Sequence, residues 1–150
     1  MKNNLDMKTV LIGGAVIGVL FFGNKLLKAI GIFKSEESKA IDEYAASSGN
    51  FWSPSWYKTN SNNIMTRASA DVLARTIWDS IGMFNDNEEK VKGVFKSLKS
   101  QGQVSYLAEV FFLIYNEDLL TFIRGGYWPY DALSDADVFE ITRYLQTLPK

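Results

Sequence analysis

The 150-residue chain has no cysteine and no histidine, and its formal charge is −1. Disulfides, thiolate nucleophiles and thiolate metal sites are thereby excluded, as are Ser-His-Asp and Cys-His constellations and the usual zinc sites. Any chemistry would rest on carboxylates, lysine, tyrosine or an oxygen-ligated cation, and the pattern calls for no cofactor and no metal.

The charge is uneven. Residues 1–34 hold five lysines and one aspartate, whereas residues 35–150 hold eleven Lys or Arg against sixteen acids. An acidic domain lacks the basic face that displaces phosphate counterions, so nucleic acid is not an expected partner.

Residues 9–33, TVLIGGAVIGVLFFGNKLLKAIGIF, begin with fifteen uncharged positions and continue apolar except for Asn24, Lys25 and Lys28. At about 1.5 Å per residue the uncharged part covers about 22 Å, short of a hydrocarbon core of about 30 Å. Lys25 and Lys28 close the gap by laying their methylenes along the acyl region and lifting their ammonium groups to the headgroups. The expectation is a single-pass anchor over residues 1–34. Its lipid-facing side chains are Val10, Leu11, Ile12, Val16, Ile17, Val19, Leu20, Phe21, Phe22, Leu26, Leu27 and Ile30. Gly14 and Gly18 form a GxxxG pair that suits close helix packing. Two other readings compete: a cleaved signal peptide, with Lys2 and Lys8 as its basic start and a poor cleavage site at residues 29–31, or a buried or oligomer-forming helix. Lys2 and Lys8 precede the stretch while Lys25, Lys28, Lys34 and Lys39 lie in or after it, so the positive-inside rule leans to an inward-facing C-terminal domain.

Residues 35–62 read as a short helix and an aromatic linker. Glu36 and Glu37 suit a helix start, and the run SSGN at residues 47–50 suits its end. Phe51, Trp52, Trp56 and Tyr57 then crowd around Pro54, which argues against a helix there. These rings either cap the core of the following domain or sit at a membrane interface or partner groove. Together with Tyr127, Trp128 and Tyr130 of a second aromatic-proline loop, they are the candidate interaction residues.

Residues 63–150 read as a helical domain. Thr66 caps a helix to about Ile81, with Leu73, Ile77 and Ile81 on one face and Ala70, Ala74 and Trp78 beside them. Asn85 is the expected cap of the next helix, with Glu88 as its capping-box partner. Val91, Val94, Phe95 and Leu98 face in, and Lys92, Lys96 and Lys99 share a solvated face that Glu88 supports. Ser100 and Gln103 repeat the box spacing. The stripe Val104, Leu107, Ala108, Phe111, Ile114 and Tyr115 then marks the central core helix. Asn116 closes it in the left-handed conformation, and Leu119, Leu120 and Ile123 mark a short helix ended by Gly125 and Gly126. Ser134 caps a last helix through about Leu148, with Val138, Ile141, Leu145 and Leu148 inside. No strand alternation of useful length is present, so the domain is all-α.

Residues 81–89, IGMFNDNEE, and residues 115–120, YNEDLL, resemble one annexin-type repeat, with its glycine loop, capped acidic helix start and Tyr-Gly-x-Asp-Leu joint. The likeness covers residues 68–148 and implies a right-handed bundle of four or five short helices. With Phe51, Pro54, Tyr57 and Lys58 ahead and LSDA and LPK behind, the pattern also looks like small bacterial and phage proteins with a single such repeat. Annexins bind calcium and phospholipid, but Phe84 stands at the second loop glycine here, and the distal carboxylate falls at Gly125 or Gly126. Asp86 and the carbonyls of Gly82 and Met83 leave at best a weak site, because calcium takes six to eight oxygens.

The leading expectation is a non-enzymatic, membrane-anchored structural or interaction protein of a membrane-containing phage particle or a bacterial envelope. Its partners would be the lipid bilayer and other structural proteins or copies of itself. The alternatives are a calcium-dependent lipid- or protein-binding module, and a carboxylate-based muralytic enzyme using Glu109, the one acid in the middle of the apolar helix.

Overall fold

Five helix starts are set by the same local device, in which a polar side chain accepts the backbone N–H three residues on. Thr66 accepts from Ser69, Asn87 from Lys90, Ser100 from Gln103, Asp118 from Thr121 and Ser134 from Asp137. Each such cap satisfies a donor the helix cannot use itself and contributes about 1 kcal/mol. A computed structural model of the chain describes residues 35–47, 49–82, 85–125 and 133–150. The anchor residues and the Gly14–Gly18 pair lie outside these described residues, as does the second aromatic loop with Tyr127, Trp128 and Tyr130.

The elements are α1 (Glu36–Ala46), α2 (Tyr57–Asn60), α3 (Arg67–Ser80), β1 (Ile81–Gly82), β2 (Asn85–Asp86), α4 (Glu88–Ser97), α5 (Gln101–Tyr115), α6 (Leu119–Ile123) and α7 (Asp135–Gln146). The described part is helical apart from β1 and β2, which pair antiparallel through Ile81 with Asp86 and Gly82 with Asn85. That pair corrects the expected cap of α4. Asn85 is taken up in the bridge, so capping passes to Asn87 and the helix begins at Glu88. A single turn of helix, α2, also follows Pro54, where none was expected.

Contacts at both ends give the helix directions. Ser100 Oγ donates to Asn63 O at 2.5 Å just ahead of α3, while Trp78 and Tyr115 meet near the C-terminal ends, so α3 and α5 run parallel. The C-terminal tail returns to the start of α5, where Gln101 N donates to Pro149 O at 2.8 Å, so α7 runs opposite to α5. It runs alongside α4, which it meets through Lys92 with Asp137 and, further on, Tyr144 Oη with Lys96 O. The first described helix, α1, packs on the last, α7.

The aromatic segment between α1 and α3 belongs to this body, since Glu36–Lys150 forms one compact unit. Phe51, Trp52 and Trp56 are buried, and Trp52 meets the Phe95 ring edge-on at 5.4 Å. Two positions of α5 let the segment lie so close. A Cβ on Gly102 would stand 2.2 Å from Ser61 Oγ and 2.9 Å from Asn63 O. Buried Ser105 accepts from Tyr57 N at 3.0 Å and donates to Ser53 O at 2.6 Å.

Lys92 is no solvated lysine. Its ammonium lies 2.5 Å from Asp137 Oδ1, and both side chains are mostly covered, at 15% and 19% exposure. Glu89 at 3.3 Å, rather than Glu88, is its neighbour on α4. Burial works against the ionised Asp137 carboxylate, but Lys92 and the Ser134 hydroxyl outweigh it and hold the pKa below 3.8. The hydrogen bond to Asp137 outweighs burial and raises Lys92 above its ordinary 10.5.

Gly102→Ala lowers unfolding stability by about 1–3 kcal/mol, because the clash with backbone outweighs the gain in helix propensity. Gly93→Ala, which meets nothing within 4 Å, raises stability by up to about 1 kcal/mol, both variants being compared with the parent by urea titration. The Lys92–Asp137 pair contributes stability above the unfolded carboxylate pKa and loses it as pH falls through the lower folded value. Its lysine half is fully present below 10.5 and is lost as pH rises through the higher folded value. Lys92→Met therefore lowers the thermal midpoint most on the plateau between about pH 5 and 10 and little near pH 2.

Candidate functional site

Among the described residues, the C-terminal ends of α3 and α5 carry a cluster of uncovered apolar side chains. On α3 the side chains of Ala70, Ala74 and Ile77 turn inward, which leaves Trp78 on the shoulder toward α5 and α6. Its indole lies parallel to the Tyr115 ring, at 4.1 Å and 2°, and to the Phe122 ring, at 4.9 Å and 10°. Beneath them Phe111 is fully buried, and its ring tilts about 50° to all three. Such pairs contribute about 0.5–1.5 kcal/mol beyond area burial. Trp78 nevertheless keeps 37% of its surface open, and Phe112 and Leu113 on the outer side of α5 keep 46% and 61%. Arg75 and Asp79 stand close enough to act on the Tyr115 hydroxyl, whose pKa burial raises, Arg75 lowers and Asp79 raises again. The surface is thus an aromatic and aliphatic patch with a mixed-charge rim.

The expected interaction residues land elsewhere. Phe51, Trp52 and Trp56 are core side chains and have no surface to offer a partner. This corrects their placement among the interaction residues and agrees with the reading in which they cap the core. Tyr57 is half-buried and packs edge-on against Tyr106 at 5.3 Å. Leu73 is only half-buried as well, while Ala70 and Ala74 on the same helix are fully buried. The sequence hides the patch because Trp78 and Tyr115 sit on apolar stripes that read as core. The available signal was Phe112-Leu113, a pair too apolar for the side of α5 on which its spacing puts it.

Glu109 is held in a small polar cluster around α2. Its Oε1 lies 3.1 Å from Lys58 Nζ, which stands 5.6 Å from the centre of the Tyr57 ring. Burial, and then the Glu109 carboxylate, pushes the Tyr57 hydroxyl up to about 12. Glu109 Oε2 is buried without a hydrogen bond. Lys58 is half exposed, so the pair contributes at most about 1 kcal/mol. A cation and a phenol around one carboxylate make a structural contact between α2 and the middle of α5.

The residues of the annexin-type likeness have local structural duties. Gly82, Asn85 and Asp86 form the β bridge, Asn116 adopts the left-handed conformation at φ 55°, and Asp118 caps α6. Among the described residues, no three acidic side chains lie together as a metal would require. No helix among them is long and apolar enough to cross a membrane. Compared with known protein families, with curated proteins and with solved structures, the chain has no match in any of the three.

The patch and its floor separate energetically. Phe111→Ala costs about 3–5 kcal/mol of stability, whereas Trp78→Leu, which loses two stacked pairs at a partly exposed position, costs about 1–3 kcal/mol in denaturant titrations.

Proposed function

We propose that the chain is a membrane-anchored, non-enzymatic structural and interaction protein, a minor component of a membrane-containing phage particle or of a bacterial envelope assembly. The observation that carries this reading is the apolar stretch at residues 9–33. Its length and its paired lysines Lys25 and Lys28 match what a single crossing needs. Two further features agree with it. The basic N-terminal segment and the acidic remainder divide the charge as an anchor with a separate domain would. The apolar surface at the ends of α3 and α5 suits lipid or a neighbouring structural protein better than a small polar substrate. The phage or bacterial setting rests on the likeness of residues 68–148 to a single annexin-type repeat.

In this reading the protein acts through where it is held. The stretch at residues 9–33 fixes the chain to a bilayer, and the helical body supplies the surface that meets its partners. The test is removal of residues 1–33. The full chain floats with phospholipid vesicles and needs detergent for extraction, while the shortened chain stays in the aqueous fraction with an unchanged far-ultraviolet spectrum. Recovery of the full chain from membranes by salt or carbonate alone would sink the proposal.

A further inference from the structure

The described helices show at which end of the body α1, the first helix after the apolar stretch in the sequence, begins. That stretch ends at Phe33 and α1 begins at Glu36. Three residues span at most about 10 Å, so on the anchor reading the start of α1 is tethered within that reach of the end of the apolar stretch. The first turns of α1 are in turn pinned to one end of the body. Arg124, the residue that ends α6, donates from Nη1 to Asp42 Oδ1 at 2.6 Å and from Nη2 to Ser38 Oγ at 2.9 Å. Two residues earlier on α6 is Phe122, whose ring stacks on Trp78. The start of α1 and the aromatic patch thus share the end of the body formed by the close of α3 and α5. Ile64 and Tyr144, the exposed apolar side chains next to the start of α3 and the close of α7, belong to the opposite end.

We infer that the patch of Trp78, Phe112, Leu113, Tyr115 and Phe122 faces the bilayer that the chain is anchored in, and sits in its zwitterionic headgroup layer. The inference rests on the anchor reading and adds the surface and its partner. The chemistry of the patch fits that layer. Trp and Tyr pair an apolar ring with a polar edge and gather at membrane interfaces. The rim includes both a cation and an acid, Arg75 and Asp79, close to the Tyr115 hydroxyl. The body as a whole is acidic, so neutral lipid suits it better than anionic lipid. An apolar surface at the end of the body that carries the covalent link has a high effective concentration of that partner, and even weak partitioning is then sufficient to seat it.

The chain has no cysteine, so single labelling sites are introduced cleanly. The full-length protein carrying Leu113→Cys or Ile64→Cys, both exposed positions, is nitroxide-labelled and reconstituted into phosphatidylcholine vesicles. Accessibility to oxygen is then compared with accessibility to a water-soluble nickel complex, with circular dichroism confirming the fold. The expected result is a several-fold higher oxygen-to-nickel ratio at position 113 than at position 64. Equal ratios, or a higher one at position 64, in protein that floats with the vesicles overturn the inference and leave the anchor standing. Protein that fails to float removes the anchor reading, and the inference with it.

Discussion

The close passage of residues 50–63 over α5 is the contact on which the rest of the body depends. Gly102 gives up helix propensity so that Ser61 and Asn63 can come within reach, and Ser105 supplies the two hydrogen bonds that hold the segment there. Once the segment is seated, Phe51 and Trp52 are delivered to the core, where Tyr44 and Phe95 meet them. Asn50 helps by turning the chain at the end of α1, accepting from Trp52 N and donating to Ala45 O. A stretch with the composition of a linker thus supplies some of the largest buried side chains of the domain.

Two cations do a second job, that of joining distant parts of the chain. Lys92 ties α4 to the start of α7, and Arg124 ties the end of α6 to α1. Each is half or more covered, which makes the partner obligatory, because an uncompensated charge left in such a place is costly. The exposed pairs, Lys39 with Glu36 and Arg67 with Asp71, are local i,i+3 and i,i+4 contacts that contribute far less. The same charge count therefore conceals two covered ties, the more exposed Lys58–Glu109 contact and local solvated pairs.

Much of the helical order was legible because capping is local. Thr66, Ser100, Asn116 and Ser134 act where spacing alone put them. The start of α4 was misplaced by two residues because the Ile81–Asp86 bridge is a tertiary choice that competes for Asn85, and capping-box spacing cannot see it. The box at Ser100 also closes differently: Gln103 accepts from Lys99 N while the Ser100 hydroxyl accepts from Gln103 N. Lys92 looked solvated because its partner is 45 positions away on another helix. The rings around Pro54 had two open fates, since aromatic composition is the same for a core plug and a docking loop, and burial decides for the core. Trp78 went the other way. Its spacing says core, but α6 is too short to cover it.

Packing of α1 against α7 joins the first described helix to the last. During synthesis residues 36–46 leave the ribosome long before residues 135–146 exist, so the core can close only after the chain is essentially complete. On the anchor proposed above, membrane targeting would precede that closure. The domain would then finish folding beside a lipid surface, with its ends drawn together and its unpaired apolar faces exposed in the interval.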